Sequence, residues 1–345
     1  MRVAVEAMGG DHAPHEIVQG ALIALEKDPE LYVLLVGDEK RITPLVEEAG
    51  GVDRTRIEIR HASEVIEMGE SPVEALRRKP DSSIQRCVEA VRDGDVDAML
   101  SAGDTGGVVA AATMFIPRLK GVKRHGIGIP LPTVRGRTLL CDVGANIRAK
   151  PIHLLQYAIM ASAYAQAVMG IEEPRIGVLS IGEEAAKGTD LVKKTQDLLA
   201  GAGMEFIGNV EGSQIFQGVA DVIVCDGFVG NVVLKVAEGV AEAFLHSLVK
   251  QIGPAVNSSP ELAKLVGPLT ERLDYSKTGG APLLGVNGSV VICHGRSKST
   301  AIANAIGVAN SFSGSGVNDR IVEGVAKVGM MHRVADFLHL DRDSN

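Results

Sequence analysis

The sequence predicts an α/β protein built on a buried, mostly parallel sheet, and three observations carry that prediction. Short apolar runs recur along the chain, each ending in glycine with an acid, amide, hydroxyl or imidazole. Patterns with apolar residues three and four apart separate those runs, which is the spacing of helices packed on a sheet. The 345 residues are 46% hydrophobic but only 3% aromatic, without Trp, so Val, Ile, Leu, Ala and Met must build the core. Such a core favours parallel strands covered on both faces.

The elements follow in chain order. Val3–Met8 runs into Gly9-Gly10-Asp11-His12, and a helix is predicted over Pro14–Lys27 from Ile17, Val18, Ala21, Leu22 and Leu25. Leu34–Val36 leads to Gly37-Asp38, Arg41–Ala49 is helical, and Arg56–Arg60 is a strand. Ser71-Pro72 opens a helix reaching Arg77. Ile84–Arg92 is a helix entering the central strand, Ala98–Leu100, which runs through Ser101–Gly107 into an Ala/Val-rich helix. Pro130 and Pro132 argue against a central strand at Ile127–Pro132 and place a domain crossing nearby. Leu139–Cys141 runs into Asp142–Asn146, Val178–Ile181 into Gly182–Glu184, Val222–Cys225 into Asp226–Asn231, and Val290–Cys293 into His294-Gly295. Further helices are predicted over Leu154–Met169, Leu191–Leu199, Gly230–Ile252, Pro260–Leu273, Ala301–Phe312 and Val322–His339. Ligands of open parallel sheets bind beyond the carboxyl ends of the strands, so these polar strand ends are expected to build one cleft.

Composition excludes several classes. A formal net charge of -8 argues against general nucleic-acid binding, which needs a basic face. Met1-Arg2 enters a strand directly, so no secretory leader is expected. No run approaches the ~18 apolar residues of a spanning helix. Cys87, Cys141, Cys225 and Cys293 lack metal-site spacing and read as buried free thiols of a reducing compartment. A catalytic Cys293 thiol beside His294 is the sharper alternative.

Strand, small-residue turn, helix presents backbone N–H groups to an anion. On that ground Ser101, Gly103, Thr105 and Gly106 are candidate phosphate ligands, although the same pattern also serves as an ordinary turn. Lys187, in the glycine-bounded loop Gly182–Asp190, is a natural point charge for phosphate or a plain surface lysine. Asn146 and Asn231 sit on glycine turns and could donate to an oxyanion; as turn formers they need no further role. His12 and His294 are candidate acids or bases, and each could equally be structural. The basic clusters Arg77-Arg78-Lys79 and Arg118, Lys123, Arg124 are solvated helix ends or docking sites for an acidic partner. The carboxylates lie on separate turns, and no metal site is assigned.

Taken in order, AMGGDHAP (Ala7–Pro14), MGESPVEALRRKPDSS (Met68–Ser83), SAGDTGG (Ser101–Gly107), DVGAN (Asp142–Asn146), IGEEAAKGTD (Ile181–Asp190), FIGNVEG (Phe206–Gly212), VCDGFVGNVVLK (Val224–Lys235), GGAPLLG (Gly279–Gly285) and CHGRS (Cys293–Ser297) closely resemble the bacterial acyl-carrier-protein:phosphate acyltransferases, the PlsX family. The match spans nearly the whole chain. Glu6 departs from the family's usual Asp, Asp104 and Gly107 from its Asn and Ala, and Arg148 from a common acid. Asp104 puts a negative charge beside the anion turn, which argues against a phosphate contact from that side chain.

The resemblance implies a three-layer α/β/α fold like that of isocitrate and isopropylmalate dehydrogenases, with two subdomains around a cleft and a protruding helical hairpin. Residues 1–115 with 285–345 would form one subdomain; 116–284, including the hairpin 230–273, would form the other. The implied reaction moves a fatty acyl group from acyl carrier protein to inorganic phosphate, giving acyl phosphate for phospholipid synthesis, with no cofactor. Lys187, Asn231, His294 and Asn146 are then the residues expected to act in catalysis, and the two basic clusters to dock the carrier protein. The resemblance also implies a cytoplasmic homodimer touching the inner face of the membrane, with a membrane acyltransferase as a further partner. Leu262, Leu265 and Val266 near the hairpin tip are the expected lipid contacts. Three other readings stand beside this one. A short-chain enzyme of the related fold would use coenzyme A thioesters. A metal- and NAD-dependent decarboxylating dehydrogenase would need clustered aspartates. A membrane-bound scaffold would need no anion site.

Overall fold

The structure, a computed structural model, describes residues 1–49, 53–259, 261, 264, 266 and 279–342. Among the described residues, eleven strands form one sheet in the order β3-β2-β1-β4-β11-β10-β5-β6-β9-β7-β8. One half consists of β1 (Arg2–Glu6), β2 (Tyr32–Gly37), β3 (Ile57–His61), β4 (Ala98–Ser101) and β11 (Ser289–Ile292), all mutually parallel. The other half holds β6 (Gly136–Cys141), β7 (Ile176–Ser180), β8 (Phe206–Glu211) and β9 (Val222–Val224), again mutually parallel. Between them, β10 (Ala281–Leu284) and β5 (Gly126–Thr133) pair antiparallel with each other and with their outer neighbours.

This corrects the expectation drawn from Pro130 and Pro132, since β5 is central. The reason is local. β10 reaches only Gly126 and Ile127 of β5, so both prolines lie past its end with β6 alone beside them. Their missing N–H groups cost little where one neighbour is absent.

Side chains alternate across the sheet and feed two cores. On one face Val3, Val5, Leu100 and Val224 pack under α1 (His15–Lys27), α6 (Pro151–Ala167), α9 (Ser299–Gly314) and α10 (Val317–Arg342). On the other, Ala4, Met99, Leu140 and Ile223 pack under α4 (Ser83–Arg92), α5 (Thr105–Phe115) and the start of α8 (Gly227–Ser258). Helix α6 is apolar on every side and is buried accordingly. Gly20 lets α1 cross α9 closely: a Cβ there would stand 2.5 Å from Ile302.

Helix α8 starts at Gly227 and runs through Gly253-Pro254 to Ser258, whereas the sequence predicts a break at that pair. Proline removes one helical hydrogen bond, and a helix this long retains the rest. The predicted second leg of the hairpin, Pro260–Leu273, falls mainly outside the described residues, as do Leu262 and Leu265; Val266 is helical and half-buried.

Candidate active site

Three turns and one helix face meet at a cavity of 420 Å³. Its apolar floor includes Ile127, Ile129, Val143, Leu234, Ala281 and Ile292. Its polar lining is Thr105, Asn231, Lys235, Glu238, Glu242, His294, Arg296 and Ser297. Loop residues Gly182–Asp190 do not line it, so the cavity draws on the ends of β4, β6, β9 and β11 and not on every polar strand end.

The first turn, after β4, is braced from below. Glu6 is buried; its Oε1 accepts from Ser83 Oγ at 2.7 Å and its Oε2 from Ser101 Oγ. Burial pushes the Glu6 carboxyl above the usual carboxylate range, against the pull of those hydroxyls. Gly103 donates its N–H to Ser101 Oγ at 3.0 Å. Ser101 and Gly103 are buried, with these groups already paired, and so face the protein interior instead of an anion. Thr105 and Gly106 are exposed, and Thr105 lines the cavity. Asp104 caps α5 by accepting from the Gly107 N–H at 2.7 Å.

The second turn is wound around Asp142. Its Oδ1 accepts from the N–H groups of Ile127 at 3.0 Å, Gly144 at 3.1 Å and Ala145 at 2.9 Å, and its Oδ2 from that of Asn146 at 2.7 Å. Asp142 is fully buried, and burial raises its carboxyl above the ordinary value against the pull of these four donors. The Asn146 amide donates to the His125 carbonyl at 2.6 Å. That bond, with a longer one of 3.5 Å to Asp142 Oδ2, makes Asn146 a brace of the turn.

The third turn starts α8. Asp226 accepts from the N–H groups of Phe228 and Val229, both at 3.0 Å. Gly227 donates to the Asn146 carbonyl at 2.9 Å, and any Cβ on Gly230 would strike the Asp142 carbonyl. The helix can therefore dock against the Asp142 turn. From there Asn231, Leu234, Lys235, Glu238, Ala241, Glu242 and Leu245 form one face into the cavity. Lys235 and Glu238 were not singled out by the sequence; their spacing from Asn231, four and seven residues on, was the available signal.

His294 enters from the end of β11. Its Nδ1 accepts from the Arg296 N–H at 3.1 Å, and its Nε2 lies 3.2 Å from Lys235 Nζ. Burial, then the Lys235 ammonium, lowers its pKa below the ordinary imidazole value, so the ring is held neutral. Lys235 Nζ donates to Glu238 Oε2 at 2.8 Å, and Arg296 stands 3.5 Å from Glu242. Burial pushes the Cys293 thiol up to about 12, which argues against a thiolate nucleophile beside His294.

The remaining candidates lie apart from the cavity lining. Lys187 is exposed, and its N–H donates to the Glu184 carbonyl at 2.9 Å. Lys79 is occupied by Glu70 at 2.6 Å and the Val65 carbonyl at 2.7 Å, which leaves Arg77 and Arg78 as the exposed members of that cluster. Arg118, Lys120, Lys123 and Arg124 are all exposed beside the entry to β5. Among the described residues, no group of three or more His, Cys, Asp or Glu is placed to hold a metal ion.

A family model described as "Fatty acid synthesis protein" matches residues 1–320. A phosphate acyltransferase of Heliobacterium modesticaldum is 51% identical over 313 residues, covering 90% of this chain and 93% of that one. One from Pelotomaculum thermopropionicum is 46% identical over 335 residues, covering 94% of each. Among solved structures, a phosphotransacetylase from Streptococcus pyogenes matches with a TM-score of 0.62 at 18% identity, over 91% of this chain and 94% of that one. A 4-hydroxythreonine-4-phosphate dehydrogenase from Klebsiella pneumoniae gives 0.52 at 13% identity, over 90% and 99%. Likeness at such identities speaks to fold alone: a dehydrogenase-like α/β sheet with helices on both faces.

Proposed function

The chain belongs to the fatty acid synthesis protein family, and we propose that it is a phosphate acyltransferase moving a fatty acyl group from acyl carrier protein to inorganic phosphate for phospholipid synthesis. The observation that carries this reading is the cavity, where an apolar floor meets a rim of ammonium, guanidinium and imidazole donors, with the Glu238 and Glu242 carboxylates beside them. The floor suits an alkyl chain, and the rim suits phosphate and a developing oxyanion.

The chemistry asks little of acid–base catalysis. A hydrogen phosphate oxygen attacks the thioester carbonyl; the C–O bond forms and the C–S bond breaks. The electron pair leaves on sulfur, and the proton carried by phosphate ends there, giving acyl phosphate and free thiol. Holding phosphate in line and stabilising the tetrahedral oxyanion are the main tasks. Asn231 is on the rim for the second. The apolar floor also keeps water from the product anhydride.

Arg118, Lys123 and Arg124, with Arg77 and Arg78, remain the proposed landing sites for an acidic carrier protein. Phe228, Val232, Val236, Val240 and Phe244 recur every four residues on the outer side of α8 and are exposed in a single chain. A second copy covering that row would form the proposed homodimer; sedimentation equilibrium should then give twice the 36.2 kDa of one chain, and a strict monomer would refute it. A long-chain acyl phosphate is poorly soluble, which supports delivery at a membrane surface by the segment near Leu262, Leu265 and Val266, with a membrane acyltransferase consuming the product. Among the described residues no helix is long and apolar enough to cross a membrane. The deciding assay supplies acyl carrier protein and coenzyme A thioesters side by side, with and without phosphate. Preference for the coenzyme A thioester would replace the carrier-protein reading.

A further inference from the structure

Two hydrogen-bond donors face each other on the cavity rim. The Arg296 N–H already occupies His294 Nδ1 at 3.1 Å. A neutral imidazole has one donor and one acceptor nitrogen, so this bond assigns the proton to Nε2. Nε2 in turn lies 3.2 Å from the Lys235 ammonium, donor against donor. Glu238 takes one of the three ammonium N–H groups at 2.8 Å and stands farther from Nε2, at 3.7 Å. Both side chains are about half-exposed, so the ring N–H and the remaining ammonium N–H groups are open to one incoming acceptor that reaches both. Arg296, in the same lining, adds a guanidinium, which faces Glu242 at 3.5 Å. An oxyanion with several acceptor oxygens fits such a set, and a neutral carbonyl would satisfy only part of it.

We propose that inorganic phosphate binds across Lys235 and His294 from the cavity side, with Lys235 Nζ and His294 Nε2 donating to its oxygens. The assignment rests on the acyl-transfer reading above and moves the phosphate site from Lys187 to α8 and the end of β11. It sets phosphate at the polar end of the apolar floor formed by Ile127, Ile129 and Ile292, where a thioester carbonyl carried in by its acyl chain would arrive. Sequence alone could not reveal the pair, because the two residues stand 59 positions apart and neither lies in a phosphate-binding motif.

The test uses the full chain and sodium phosphate. Lys235→Met keeps the apolar stem and removes the charge, and the side chain is exposed enough for folding to survive. Loss of one charge-assisted hydrogen bond should weaken phosphate binding about 10- to 100-fold by isothermal titration calorimetry without acyl donor. The KM for phosphate should rise in parallel, while that for the acyl donor stays within about twofold. Lys235→Arg should recover part of the loss. A folded Lys235→Met protein with wild-type phosphate affinity and wild-type KM for phosphate overturns the proposal. Should the wild type bind phosphate and Lys235→Met lose it while neither forms acyl phosphate, the site stands and the acyl-transfer reading fails.

Discussion

Removing the Asp142 carboxylate should cost the fold stability through the backbone donors it strands. Its two oxygens accept from four backbone N–H groups, those of Ile127, Gly144, Ala145 and Asn146. Asp142→Ala strands all four. An orphaned buried donor costs roughly 1–3 kcal/mol, and Gly144, Ala145 and Asn146 are half-exposed, so water lowers their share. Four donors at the lower end give a loss of about 4 kcal/mol, against a total stability of roughly 5–15 kcal/mol for a folded protein. Asp142→Asn is milder. Its Oδ1 can keep three of the bonds, while its Nδ2 meets the Asn146 N–H donor to donor, for about 2 kcal/mol. Urea unfolding followed by far-ultraviolet circular dichroism suits a chain without Trp. Activity should fall even in the folded Asn variant, because α8 docks on this turn through Gly227 and Gly230. An Ala variant within about 1 kcal/mol of wild type would refute the reasoning.

Other predictions follow from the same geometry. Burial, with Arg118 and Arg124 adding repulsion, holds His125 at about 4, against an ordinary 6.5. Its Nε2 pairs with Thr113 Oγ1, which donates onward to the Val109 carbonyl, so Nδ1 is the site that would have to take a proton. Above pH 6.5 this stabilisation is complete; as pH falls from 6.5 to 4 the unfolded chain protonates first, and about 3 kcal/mol is lost. His125→Gln should remove that part of the pH dependence, and identical profiles would contradict the assignment. Lys187→Ala, altering a cation outside the cavity lining, should lower kcat/KM by less than about tenfold; a loss near 100-fold would mean that loop Gly182–Asp190 closes over the cavity in turnover. Wild-type protein should float with phospholipid vesicles and a Leu262→Glu/Leu265→Glu variant should not, both remaining active; equal flotation would remove the membrane role from that segment.

Much of the fold was legible because burial on both faces writes itself as uninterrupted apolar runs, as in Val3-Ala4-Val5 and Val222-Ile223-Val224. The turns after β4, β6 and β9 were legible for a related reason: glycine and short polar residues are what a close approach of chain segments demands. What those polar groups face was not. Ser101 and Thr105 are four residues apart on one turn, yet Ser101 points inward to Glu6 and Thr105 lines the cavity. Local pattern carries no information about that choice, because the buried partner comes from β1. Asn146 and Asn231 read alike in sequence, and only the nearby His125 carbonyl makes the first a brace. The prolines of β5 misled because the rule against central proline concerns a missing ladder bond, and here β10 ends before reaching them. Lys235 and Glu238 carry no local signal of a site, because the His294 that faces them comes from the end of β11.

The most direct measurement of the central claim is product formation by the purified full chain from an acyl carrier protein thioester. Acyl phosphate is trapped as its hydroxamate, and released carrier thiol is counted in the same sample. The account predicts one hydroxamate per thiol, formation that saturates with phosphate, and faster turnover than with the matching coenzyme A thioester. Thiol release at the same rate without phosphate, with no hydroxamate formed, would contradict it.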